Sequence, residues 1–143
     1  LLEGSKFQFA LTGGAAGTIV DESMLDVPID FASSRKGISL GAGAFLIADQ
    51  SVDPVALLRE ELRFFSYESC GKCTPCRVGT HRSFEILERM AAGNGKVGDV
   101  AELRMLANYI AQASFCGLGQ SVGIPMNSAM DLFAEAFEKA ENR

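Results

Sequence analysis

The chain lacks a surplus of positive charge. Thirteen Lys and Arg stand against 18 Asp and Glu among 143 residues, a formal net charge of −5. Nucleic-acid binding draws its affinity from Lys and Arg set against phosphates, so that class of partner is excluded. No apolar run approaches the roughly 18 to 20 residues that a membrane span needs. No charged segment leading into an apolar core opens the chain, which starts Leu1-Leu2-Glu3-Gly4 without Met; we read this start as a cut from a longer polypeptide. A Walker loop is absent. The one glycine-rich turn, Gly13-Gly14-Ala15-Ala16-Gly17, spells G-G-x-x-G with no long helix behind it, so the Rossmann fingerprint fails in sequence and in context. No nucleophile, general base or carboxylate pair is arranged for catalysis. What is present is globular material, 48% hydrophobic and 22% charged, enough for one compact domain or two small ones.

Four cysteines carry the chemistry: Cys70, Cys73 and Cys76 in one run, then Cys116 after 39 intervening residues. A disulfide framework fits poorly, because nothing marks a secreted chain and pairing within the run closes very tight loops. Thiolates three positions apart in a loop turn toward one centre, and a Cys-x2-Cys-x2-Cys run with a distant fourth thiolate holds the corners of an iron–sulfur cube. Structural zinc usually takes two ligands from each of two knuckles, so three-plus-one suits it less. On spacing alone, zinc and a [2Fe–2S] centre remain the alternatives. Around the run, Pro75 stiffens the loop and Gly71 lets backbone N–H groups approach the sulfurs. Lys72, Arg77 and Arg82 put positive charge beside it, which stabilises the reduced state of an anionic cluster; Arg82 fits a solvated surface equally well. His81, the one histidine, is read as a helix-surface residue or one that supports the ligands from behind, and not as a ligand itself. Glu68 either orders the loop by accepting N–H bonds or is an exposed helix-end carboxylate.

Upstream of the run the pattern is of strands and turns. Phe7, Phe9 and Leu11 alternate onto one face. The glycine turn leads into Thr18-Ile19-Val20. Residues 25–31, broken by Pro28, suit an edge strand or an extended segment. Ala44 to Ala48 is the best candidate for a buried strand. From Asp53 the period becomes helical. Asp53 caps and Pro54 opens a helix to about Tyr67, with Val55, Leu58, Leu62 and Phe65 inward. A second helix runs from about Val78 to Ala92 with Phe84, Leu87 and Ala91 inward, closed by Gly93-Asn94-Gly95. Asp99-x-x-Glu102 reads as a capping-box variant for a third, with Leu103, Leu106 and Ile110 inward, delivering Cys116 just past its end. Pro125 starts a fourth with a Met126, Met130, Phe133, Phe137 core stripe. About 50 residues of β-rich chain are marginal alone and lean on the helices or on parts outside this chain.

At Glu68-Ser69-Cys70-Gly71-Lys72-Cys73-Thr74-Pro75-Cys76-Arg77-Val78-Gly79-Thr80 the chain resembles the iron–sulfur motif of the NADH-binding flavoprotein subunit of respiratory complex I. The diaphorase subunits of NAD(P)-reducing hydrogenases and NAD-dependent formate dehydrogenases are relatives of that family. Phe64-Phe65 and Ser114-Phe115-Cys116-Gly117-Leu118-Gly119 share the likeness. The glycine turn, Leu25 to Asp30 and Leu40 to Ala44 are similar to the family's soluble-ligand-binding β-grasp region, from which Ala15, Ala16 and Thr18 depart mildly.

The resemblance implies an α+β fold: a partial ubiquitin-like β-grasp segment over residues 1–50, then a four-helix bundle over 51–143 carrying the cluster loop. It implies a [4Fe–4S] cluster on Cys70, Cys73, Cys76 and Cys116, with Gly71, Lys72, Pro75, Arg77 and Glu68 around it. In such a protein the cluster relays single electrons between FMN and the clusters of partner subunits, a thioredoxin-like [2Fe–2S] subunit and a further cluster-bearing subunit. FMN and NAD(P) belong to an N-terminal domain with no counterpart here, so this chain alone binds neither and has no turnover. The implied setting is an NADH dehydrogenase (quinone)-type or NAD(P)-linked hydrogenase or formate dehydrogenase complex, cytoplasmic, soluble or peripheral on the cytoplasmic face and without membrane insertion. The alternative from another class is a zinc-stapled helical docking module with no redox role.

Overall fold

The computed structural model describes residues 4–142; Leu1-Leu2-Glu3, where a cut is read, lies outside them. Among the described residues are three strands, β1 (Phe7–Thr12), β2 (Thr18–Val20) and β3 (Phe45–Asp49). Six α-helices follow: α1 (Pro54–Glu68), α2 (Thr74–Ala91), α3 (Asp99–Ala113), α4 (Gly117–Ser121), α5 (Gly123–Leu132) and α6 (Ala134–Glu141). The chain is therefore α+β, with one antiparallel sheet ordered β2-β1-β3.

The glycine turn closes the β1–β2 hairpin, with Gly13 and Gly14 both at positive φ and Gly17 N–H donating to Gly14 O at 2.8 Å. Phe9 and Leu11 enter the main core with Ile19 and Ala48. Phe7 does not share that face. The β1–β3 register shifts between Phe7 and Phe9, and this irregularity sends Phe7 to the opposite side, where it packs with Ala10, Val20 and Ile38. The apolar run at β3 also departs from its expected place: it forms an edge strand, and Phe45, Leu46 and Ile47 are exposed while only Ala48 is buried. Residues 25–31 form no strand, and short 3-10 turns at Glu22–Met24 and Ser33–Lys36 flank them.

Asp53 caps α1 by accepting the Val55 N–H at 2.9 Å, and Val55, Leu58, Leu62 and Phe65 are all buried. Helix α2 starts four residues earlier than the hydrophobic pattern indicates, because Thr74-Pro75 opens it before the first large apolar side chain. Its inner face is Cys76, Gly79, Thr80, Ser83, Ile86, Leu87 and Met90, with Phe84 and Ala91 only partly buried. The capping box at α3 is not formed. Asp99 is buried and accepts from Arg89 and from Lys96 N–H, and Glu102 pairs with Arg82 at 2.8 Å. The N–H groups of Gly98 and Val100 donate instead to Glu141 of α6, at 2.8 and 3.0 Å. The stripe after Pro125 is split: the backbone breaks at Phe133 (φ −118°, ψ 38°), separating α5 from α6. Met126, Met130 and Phe137 remain fully buried, while Phe133 packs edge-on against Phe9 with centroids 5.3 Å apart.

That ring contact, with the Ile19 N–H donating to Ser128 Oγ at 3.1 Å, seats the sheet on α5. One core runs without interruption from Phe9 to Ala140.

Glu61 on α1 is a local exception to good pairing. Its Oε2 is buried with no hydrogen-bond partner, and burial pushes the carboxyl above its ordinary value of 4.5. The folded state thus holds this proton more tightly than the unfolded chain, so its contribution to stability is lost as pH rises from about 4.5 through the raised folded value. Glu61→Gln removes the ionisation. It raises the urea midpoint at pH 7 and leaves it close to wild type near pH 4; equal midpoints at pH 7 would refute this.

Candidate metal centre

The cysteine run occupies the turn between α1 and α2. Ser69 ends α1, its N–H bonded to Phe65 O at 3.1 Å. Gly71 then takes φ +75°, and Arg77 reaches back from α2 to donate to Gly71 O at 2.6 Å, which clamps the turn. Cys73 is the N-cap residue of α2, Pro75 lies in its first turn, and Cys76 is already helical with its carbonyl accepting from Thr80 Oγ1 at 2.7 Å. The run is therefore half loop and half helix. Cys116 arrives from the other side as the N-cap of α4, after α3 ends at Ala113. Cys73 and Cys76 are buried, Cys70 and Cys116 are exposed, and all four thiols are free.

The electrostatics link the four thiols. Burial pushes the Cys76 thiol up, a hydrogen bond with Ser69 offsets part of this, and negative charge on Cys73, Cys116 and Cys70 would push it further up. The Cys73 thiol is held below its ordinary value, first by the Phe115 N–H and then by the Cys76 N–H turned toward its sulfur. Phe115 belongs to the α3–α4 turn, so the distant segment lies against the run. Backbone N–H groups at helix starts favour negative charge on sulfur for the same reason that they bind anions. Among the described residues no three His, Cys, Asp or Glu side chains converge as a single metal ion requires.

Of the other residues singled out from the sequence, Lys72 is exposed. Glu68 is exposed and makes no ion pair among the described residues. His81 lies on the α2 surface 3.5 Å from Glu85, and Arg82 joins α2 to α3 through Glu102. Three residues that sequence reasoning passes over stand closer to the sulfurs. The Cys76 thiol donates to Ser69 Oγ at 3.3 Å, and Gly71 N–H donates to the same oxygen at 3.4 Å. Ser114 Oγ is buried without a hydrogen-bond partner, yet it lies near enough to Cys73 to favour its thiolate. Gly119 lets Ser114 and Cys76 approach the α4 backbone closely: a Cβ built there would collide with the Ser114 side chain and lie 3.2 Å from Cys76 Cβ. The only sequence signal for the serines is adjacency to a cysteine or its neighbour.

Grouped thiols at helix starts, served by N–H donors and hydroxyls, define an iron–sulfur binding region. Residues 56–140 match the family model of the NADH-ubiquinone oxidoreductase-F iron-sulfur binding region, and the chain belongs to that family. It is 38% identical over 137 residues to the NADP-reducing hydrogenase subunit HndC of Solidesulfovibrio fructosivorans, covering 95% of this chain and 28% of that protein. It is 36% identical to an NADH-quinone oxidoreductase subunit of Rhizobium meliloti, covering 95% of this chain and 32% of the relative. An NADH-quinone oxidoreductase subunit of Escherichia coli K12 is likewise 36% identical, with 95% and 31% covered. Among solved structures, a chain of an air-oxidized NAD+-reducing [NiFe]-hydrogenase superimposes with a TM-score of 0.85 at 31% identity, over 95% of this chain and 24% of its own. The chain thus spans less than a third of the length of these relatives.

The donor set fits an iron–sulfur group: four free thiols as soft ligands, N–H groups favouring the Cys73 thiolate and a serine hydroxyl beside the Cys76 sulfur. Gly119→Ala tests the close approach of Ser114 and Cys76 to α4. The added methyl collides with Ser114 beside Cys76, and we expect a loss of about 1–3 kcal/mol in urea unfolding of the metal-free chain, as for overpacked cores. Unchanged stability would show that the close approach is not needed.

Proposed function

We propose that this chain is the electron-transfer part of an NAD(P)H-linked flavo-iron–sulfur oxidoreductase. In it Cys70, Cys73, Cys76 and Cys116 hold one [4Fe–4S] cluster between FMN, carried by the parent polypeptide outside these residues, and the clusters of partner subunits. What supports this reading is that the segment following Cys116 packs against the cysteine run: a Cβ built at Gly119 would lie 3.2 Å from Cys76 Cβ. Bound there, the cluster supplies one-electron transfer with no substrate of its own.

The chain's part is to hold and shield. Cys73 and Cys76 are buried; N–H groups favour negative charge on the Cys73 sulfur, and Ser69 is in hydrogen-bond contact with that of Cys76. Gly71, Pro75 and Arg77 fix the turn, while Lys72 and Glu68 face solvent. Cys70 and Cys116 form the exposed rim, and Phe115 (80% exposed) and Tyr67 (84%) stand beside them in sequence. We take this apolar rim as the side met by partners, a thioredoxin-like [2Fe–2S] subunit and a cluster-bearing subunit, because large exposed aromatics mark protein contacts. Residues 1–50 are read as a partial β-grasp segment and 51–143 as the cluster-bearing bundle, supported by the antiparallel sheet and the helices packed beneath it. NADH dehydrogenase (quinone)-type, hydrogenase or formate dehydrogenase complexes are the setting, on the cytoplasmic side. Among the described residues no helix is long and apolar enough to cross a membrane. Alone, the chain has no turnover.

Anaerobic preparation followed by iron and acid-labile sulfide analysis tests the reading. About four of each per chain, with a brown absorption that dithionite bleaches, is the expected result. One zinc per chain with no sulfide, persisting through reconstitution, would replace it with a zinc-stapled docking module.

A further inference from the structure

We propose that Ser69 is a positioning residue that sets the reduction potential of the centre through a hydrogen bond from its hydroxyl to the sulfur of Cys76. The inference rests on the reading of Cys76 as a cluster ligand.

Ser69 is held from two directions. Its backbone N–H is tied to Phe65 O at the end of α1, and its Oγ accepts the Gly71 N–H at 3.4 Å. With a lone pair of Oγ so engaged, the 3.3 Å contact to Cys76 Sγ is the place for the hydroxyl hydrogen once that sulfur has lost its own. In the free thiol the bond runs the other way, from sulfur to oxygen; a ligating thiolate has no proton to give, so the direction reverses.

The four sulfurs are unequally served. Cys73 has the Phe115 and Cys76 N–H groups turned toward it, and Cys70 and Cys116 reach solvent. Cys76 is buried, and Ser69 is the side chain in hydrogen-bond contact with its sulfur. Adding an electron makes the whole group more negative, so a donor on a buried ligand sulfur stabilises the reduced form more than the oxidised form. One electron enters from the external reductant, no bond to Cys76 breaks, and the hydroxyl keeps its hydrogen. Neighbouring contacts do not imitate this effect: Arg77 is spent on the Gly71 carbonyl, and Glu68 is exposed.

The test compares midpoint potentials by dithionite titration followed by electron paramagnetic resonance, on the full 143-residue chain, with iron and sulfide measured in each sample. Ser69→Ala lowers the midpoint. The net worth of one hydrogen bond corresponds to about a two- to tenfold change in the reduced-to-oxidised ratio, and tenfold is about 59 mV for a one-electron couple. Ser69→Thr, which keeps the hydroxyl, stays near wild type. Ser69→Val, which matches Thr in shape without the hydroxyl, falls with Ala. A merely structural role would move Thr and Val together. Equal potentials in wild type, Ala and Val overturn the proposal, as does failure of Ala and Val to hold a cluster while Thr does, which would make the hydroxyl an assembly requirement and not a tuning device. Absence of iron and sulfide from wild type itself would instead overturn the ligand reading beneath it.

Discussion

The close approach of α2 and α3 is the constraint on which the rest depends. At Gly79 the two helices come so near that a Cβ would lie 2.5 Å from Ile110 Cγ1. That separation brings the end of α3 level with the start of α2, so the turn carrying Phe115 and Cys116 reaches Cys73. A larger residue at 79 would collide with the Ile110 side chain and strain this crossing. Arg82 with Glu102, and Arg89 with buried Asp99, tie the same two helices along their length. The half-exposed Arg82 pair adds little stability by itself, but it restricts the crossing. The Asp99 pair is different, since a buried carboxylate left without Arg89 would be strongly destabilising.

The sulfur environment follows from where helices begin. Cys73 and Cys116 precede the first turns of α2 and α4, so both sit where backbone N–H groups lack helical partners. The surroundings remain asymmetric. Two thiols are inside and two lie at the rim, and the serine hydroxyls serve only the inner pair. Charge is thus offset where water is excluded, and left to solvent or to a partner where it is not.

The sheet has a different relation to the helices. Its β2 side is closed by Ser128 and α5, and its central strand contributes Phe9 and Leu11 to the helical core. Its β3 side carries three successive exposed apolar side chains. An edge of that kind is poorly suited to water, in keeping with a chain that spans less than a third of its relatives' length.

Much of the helical part is legible because it is local. The 3.6-residue period places Val55, Leu58, Leu62 and Phe65 inward, Asp53-Pro54 marks the start of α1, and the spacing of Cys70, Cys73 and Cys76 points to clustered thiolates without any knowledge of the fold. The strands are less so: the alternation of Phe7, Phe9 and Leu11 hides a register shift that turns Phe7 to the other face, and the apolar run at β3 forms an edge although its composition suits burial. Burial depends on which elements stack, and a run of five residues does not say so. The start of α2 has a local signal in Thr74-Pro75 that the hydrophobic pattern alone does not carry, whereas the contact of Glu141 with the start of α3 joins residues distant in sequence. Spacing and period act over a few residues, and so made the Cys70, Cys73, Cys76 run and the inner face of α1 legible. The fold shows which sulfurs are buried and sets Ser69 beside Cys76 and Ser114 beside Cys73, because those contacts join the end of α1 and the α3–α4 turn to the start of α2.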